Sequence, residues 1–286
     1  MGSTVRPGQL MVPTRRYRHT MLRRAVRVMT LRRIEVRLYP SLVLIAVLVV
    51  WTFSTRFSGD HGTLTGWVMG TAGTLLFFGS ILAHELGHAL EARHRNIAVH
   101  GITLFLFGGV TEMGSHGHRP RDEFAIAAIG PWISLLCGAI FGLLATGAAR
   151  LPAGLGAPIA DVAGLLGWIN VALAIFNLVP GAPLDGGRVL RAGLWWALGD
   201  RYLAIRITAW LGQVLGVALA AFGVWVLMST PQGAIGAAWY WIIGAFLVIA
   251  ARSEATAARH ERLHQSDESD NPVASLAGPD SPTSGR

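Results

Sequence analysis

Apolar residues fall into six runs, at about residues 38–55, 65–91, 123–149, 160–183, 205–228 and 236–252. Each is long enough, or nearly so, to cross a hydrocarbon core of about 30 Å. The pattern predicts an all-α polytopic membrane protein with about six transmembrane helices. The second and third runs exceed a straight crossing, so they tilt or protrude. The fourth contains Pro180 and Pro183, which a continuous helix does not tolerate.

One segment breaks the helical pattern. After the second run comes NIAVHGITLFLFGGVTEMGSHGHRPRDE. Its β-branched and aromatic residues and its Gly-Gly pair favour strands over residues 97–113. LFLF is too short to span but apolar enough to enter the bilayer. We expect a short re-entrant β-hairpin between helices 2 and 3, screened by surrounding protein. A plain membrane-surface loop is the alternative.

Composition agrees with the pattern. Of 286 residues, 52% are hydrophobic and 14% charged, and the mean hydropathy is +0.47. That leaves too little polar surface for a soluble domain. The net charge of +8 suggests nucleic acid until its distribution is considered. All 24 basic residues are Arg, and ten precede residue 38. The others mostly flank apolar runs. One side of the membrane receives the N-terminal segment, Arg93, Arg95, Arg119, Arg121, Arg188, Arg191, Arg201 and the C-terminal segment. The other receives Arg56 and Arg150. This asymmetry predicts cytoplasmic termini and makes the bilayer, not nucleic acid, the partner of the charge. The lone Cys137 permits no disulfide framework.

These features divide the chain into three parts. Residues 1–37 form an Arg-rich cytoplasmic extension, expected to remain uncleaved and to lie on anionic lipid. Residues 38–252 form the transmembrane domain. Residues 253–286 form a cytoplasmic tail that is mostly disordered, given its Ser, Asp, Pro and Gly content.

Chemistry enters with ILAHELGHALEARHR, residues 81–95. His84 and His88 are four apart, so a helix puts both imidazoles on one face, where they can share a metal ion. Glu85 is turned by about 100° and can reach water there without being a ligand. HELGH matches the HExxH pattern, and ionisable groups in a spanning segment are usually functional. The alternative is histidines that merely pack against a neighbouring helix.

A catalytic metal needs a third protein ligand. Asp161 lies at the wrong depth, and Glu112 and Glu123 border the loop. Asp185, in FNLVPGAPLDGGRVLR, ends the fourth run on the side reached by His84 and His88. Pro180, Gly181 and Pro183 break the helix just before it. Broken backbone is tolerated at that depth where it packs on protein or lines a cavity. His116 and His118 are a weaker candidate pair, more readily explained as solvated loop residues.

HELGH followed by NLVPGAPLDGG resembles the paired motifs of the site-2 protease family of intramembrane zinc metalloproteases. The family's second motif, Asn-x-x-Pro-x-x-x-x-Asp-Gly, is matched by Asn177, Pro180, Asp185 and Gly186. LFLFGG is similar to the family's re-entrant loop, and AIGPWIS to its Gly-Pro span. The resemblance covers roughly residues 38–252 and looks like a minimal bacterial member without PDZ or CBS domains.

The resemblance implies one Zn²⁺ per chain held by His84, His88 and Asp185. Glu85 would move the proton, and Asn177 would hydrogen-bond the developing oxyanion. The implied substrate is the transmembrane helix of another membrane protein, such as an anti-sigma factor or a signal-peptide remnant. A helical peptide bond is hidden by its own hydrogen bonds, so the hairpin, with Gly108 and Gly109, would hold the substrate extended by edge pairing. The implied location is the bacterial inner membrane. Two rivals remain, a membrane metal-ion transporter and a catalytically inactive zinc-binding membrane protein.

Overall fold

The structure, a computed structural model, describes residues 25–105, 108–114, 117, 119–229 and 234–270. Among the described residues, seven helices carry most of the chain. They are α1 (Ser41–His61), α2 (Thr63–His94), α3 (Pro120–Ala148), α4 (Ala153–Asn177), α5 (Asp185–Leu198), α6 (Arg201–Ser229) and α7 (Ala234–Asp270). All but α5 contain a stretch long and apolar enough to cross a membrane, giving the six spans expected. The protein is a multi-pass membrane protein. Its outer surface displays large apolar side chains such as Leu44, Trp51, Leu75, Leu143 and Trp168, each more than half exposed, where lipid rather than water is the favourable neighbour.

Small residues set how the spans approach. A Cβ added to Gly70 of α2 would lie 2.5 Å from the Ser54 nitrogen and 2.8 Å from its Cα. One turn earlier, Gly66 meets Ser58 in the same way. Helices in lipid lack a hydrophobic drive between them, so close backbone contact supplies the attraction. Gly216 and Gly244 do the same for α6 and α7, each facing the other's carbonyl oxygen at 2.6 Å from its would-be Cβ.

The hairpin is present as β3 (Val99–Phe105) and β4 (Gly108–Met113), antiparallel, with Thr103 opposite Val110 and Leu104 opposite Gly109. It belongs to a larger sheet. Residues counted above as cytoplasmic extension, with Leu38, form β1 (Val26–Leu31) and β2 (Ile34–Leu38). The order is β1-β2-β3-β4, with β2 and β3 parallel. A parallel pair needs a long crossover, and here the α1–α2 hairpin provides it. Ile34, Ile102, Leu104, Leu42 and Ala89 form a buried cluster joining the sheet to α1 and α2. The sheet's polar face is tied together by ion pairs, since Arg37 contacts both Glu35 and Glu112. Arg37, then Arg27, hold the Glu35 carboxyl below its ordinary pKa.

The segment between α4 and α5 is the predicted break. Its backbone is not orphaned. Ala182 N donates to Thr208 O of α6 at 3.1 Å, and Leu184 N donates to Gly181 O at 3.0 Å. Gly181 and Ala182 are buried, with α6 close enough that Gly212 leaves no room for a side chain. At the far end, α7 continues to Asp270, past the expected span end at 252. The descriptions offered above for residues 1–24 and 271–286, and the His116/His118 pair, lie outside the described residues.

Replacing Gly70 with Val should cost about 1–3 kcal/mol through overpacking. Thermal unfolding in detergent should show a clear fall in midpoint, whereas Gly79→Val, with open space around its Cα, should leave it nearly unchanged.

Candidate metal centre

Three elements converge at the break. His84 and His88 sit one turn apart on α2, and Asp185 opens α5. His84 Nε2 lies 3.1 Å from Asp185 Oδ2, His88 Nε2 lies 3.2 Å from the same oxygen, and the two Nε2 atoms are 3.1 Å apart. All three residues are buried or nearly so, between 3 and 8% exposed. Among the described residues they are the one group of three or more His, Cys, Asp or Glu placed to hold a metal ion.

The far side of each imidazole is occupied by α3. His88 Nδ1 donates to the Ile126 carbonyl at 2.6 Å. His84 Nδ1 lies 2.9 Å from Ser134 Oγ. A proton on His88 Nδ1 leaves its Nε2 with a lone pair, the form that ligates a metal, and the Ser134 hydroxyl fixes the orientation of the His84 ring. Ile126, Gly130 and Ser134 are spaced by four, so they fall on one stripe of α3. Gly130, in the middle, faces the imidazoles directly. A Cβ there would stand 2.5 Å from His88 Cε1 and 2.6 Å from His84 Nε2. The glycines after Asp185 serve the same closeness: a Cβ on Gly187 would lie 2.5 Å from the Gly181 carbonyl carbon.

Glu85 is buried beside this group and is not part of it. The Thr111 hydroxyl of β4 is 3.0 Å from Glu85 Oε2 and 3.1 Å from its backbone oxygen. Gly109 lets β4 come this close, since a Cβ would be 2.8 Å from Glu85 Cδ. Asn177, the last residue of α4, shares a cavity of about 500 Å³ with His84, Glu85, Asp185, Gly108 and Gly109. The rest of the lining is mostly apolar, including Phe77, Phe78, Ile243 and Phe246. All the site candidates thus meet in one place.

The rejected ligands are engaged elsewhere. Asp161 Oδ2 pairs with His61 Nε2 at 2.7 Å near the opposite helix ends. Glu112 binds Thr103 and Arg37, and Glu123 binds Arg191. Sequence reasoning missed Ser134, the Ile126 carbonyl, Thr111 and the role of Gly130. For Gly130 and Ser134 the four-residue spacing within AIAAIGPWIS was the available signal; the carbonyl and Thr111 gave none.

The donor set fits a divalent metal. Two imidazole nitrogens and one carboxylate oxygen point at one another, which is favourable only with a shared cation or proton between them. Two His and one carboxylate is a ligand set of catalytic zinc, whose fourth position is left for water or substrate.

Comparison with known proteins points the same way. The model for Peptidase family M50 matches residues 72–150 and 154–223. "Putative zinc metalloprotease Rip3" of Mycobacterium tuberculosis is 39% identical over 233 residues, covering 80% of this chain and 58% of that protein. "Putative zinc metalloprotease sll0528" of Synechocystis is 41% identical over 220 residues, covering 76% and 56%. The chain therefore spans less than three fifths of the length of these curated relatives. The site-2 protease from Methanocaldococcus jannaschii has the same fold, with a TM-score of 0.55 at 22% identity, covering 81% of this chain and 95% of that one.

Gly130→Ala should leave purified protein with under about a tenth of its zinc by elemental analysis, because the methyl group displaces both imidazoles. Ser134→Ala should keep zinc but weaken its binding about tenfold in chelator competition, as loss of a ligand-orienting hydrogen bond does.

Proposed function

The chain belongs to peptidase family M50, and from that premise we propose that it is a zinc-dependent intramembrane endopeptidase that cleaves transmembrane segments of other membrane proteins. The observation that carries this reading is the meeting of His84, His88 and Asp185 with Glu85 on the wall of an apolar cavity between spanning helices.

In this reading His84, His88 and Asp185 hold Zn²⁺, one per chain. Bound there, zinc supplies Lewis acidity and activation of water near neutral pH. The remaining work belongs to the chain. Glu85 accepts a proton from the attacking water and delivers it to the leaving amine. Thr111 restrains the Glu85 carboxylate, with its hydroxyl 3.0 Å from Oε2. Asn177 offers an amide N–H to the carbonyl oxygen as negative charge develops on it. The apolar lining limits competing water, which strengthens these polar contacts.

The substrate must be unwound to be cut. The sheet order leaves β4 as an edge strand, and Gly108, Gly109 and Val110 of that strand line the cavity beside Glu85. An extended segment paired to β4 would run its peptide bonds past the carboxylate. The glycines keep the path clear of side chains. Substrates of the anti-sigma-factor or signal-peptide-remnant type, residence in the bacterial inner membrane and cytoplasmic termini complete the reading.

Glu85→Gln should retain about one zinc per chain and lose cleavage of a reconstituted membrane substrate by at least about 100-fold, the scale of general-base catalysis. A transporter would keep its metal flux. Zinc-replete Glu85→Gln protein with normal cleavage would sink the assignment. Prolines at Val110 and Thr111, one at a time, remove N–H groups from opposite edges of β4. The change on the outward edge should cut cleavage while zinc content stays; unaltered cleavage in both variants removes edge pairing.

A further inference from the structure

Three charged side chains that this chemistry does not use meet inside the protein. Arg191 lies on α5, and its Nε donates to Glu123 Oε1 of α3 at 2.6 Å. Its Nη2 contacts the same oxygen, and its Nη1 contacts Glu254 Oε1 of α7. The Arg191 and Glu123 side chains are 2% and 1% exposed, and that of Glu254 is 25% exposed. Glu123 Oε2 has no hydrogen-bond partner.

Such a cluster is a poor source of stability. Burying the ions costs about as much as their attraction returns, and apolar side chains of similar volume would hold these helices at least as well. What the ions add is a defined position, and the place they define is specific. Glu123 sits three residues before Ile126, whose carbonyl holds His88. Arg191 sits six residues after Asp185, about 9 Å along the helix at 1.5 Å per residue. The α3 helix therefore grips the imidazoles through Ile126 and Ser134 and grips the carboxylate's helix through Glu123. The guanidinium fork makes that grip directional, which an ammonium would not.

Resting on the reading of the preceding subsection, we propose that Arg191 is a positioning residue: pinned to Glu123, it sets α5 on α3 so that Asp185 meets His84 and His88. Glu254 offsets the charge of the same guanidinium from α7 and is not part of the α3–α5 link.

The test compares full-length Glu123→Gln and Glu254→Gln proteins, each missing one carboxylate charge from the same guanidinium. Zinc affinity by chelator competition should fall about tenfold in Glu123→Gln, within the range for loss of ligand support, and stay within about twofold in Glu254→Gln. In zinc-free protein, α5 amides should exchange hydrogen faster in Glu123→Gln than in Glu254→Gln. If the two variants behave alike, whether both unchanged or both impaired, the proposal is overturned. Should Glu123→Gln not fold, Arg191→Lys takes its place on the same criterion. A wild-type chain that binds no zinc would count against the reading above, and the exchange comparison would then decide this one.

Discussion

Two hydrogen bonds between imidazole Nδ1 atoms and α3 are the constraint on which the site depends. Without them both histidines are free to choose a rotamer, and His88 a tautomer as well. With Ile126 O at 2.6 Å and Ser134 Oγ at 2.9 Å, both Nε2 atoms are turned toward Asp185. Burial makes the arrangement decisive. A buried polar atom without a partner is costly, so the imidazoles cannot rotate away without losing these bonds. Their Nε2 atoms are left facing the position proposed for the cation.

The surrounding architecture makes that grip compatible with a membrane. Helices α2 and α3 must lie close enough for a carbonyl to reach an imidazole, and Gly130 permits it. Asp185 must arrive beside the imidazoles at the start of α5, after α4 has ended early at Asn177. That exposes backbone groups lipid cannot satisfy, so the break is packed against α6, with Ala182 bonded to Thr208. The sheet meets a third demand. It places a strand beside Glu85, and α1 and α2 cover its apolar face.

Much of this was legible in the sequence because it rests on local periodicity. The six spans follow from run length, HELGH from the four-residue helical repeat, and Asp185 from depth on a second broken helix. The hairpin followed from β-branched residues around a Gly-Gly pair. Less legible were features set by distant partners. IEVRL alternates as a strand should, yet it pairs with residues 66 positions away, Glu35 with Gly101, and the surrounding arginines read as a membrane-surface signal. The Ile126 carbonyl has no sequence signature at all, because any residue carries one. Arg191 is the instructive case. Counting Arg on each side of the membrane treats it as an exposed loop charge, whereas it is 2% exposed and bound to two carboxylates.

The central claim is that two imidazoles and one carboxylate, brought from separate helices, share a single zinc ion. X-ray absorption at the zinc edge of the purified full-length protein measures this directly. The account predicts about one zinc per chain with nitrogen and oxygen neighbours near 2.0–2.1 Å, two of them imidazoles, and loss of this signature in Asp185→Asn. A sulfur neighbour, a different number of imidazoles, or a spectrum unchanged by Asp185→Asn would contradict it.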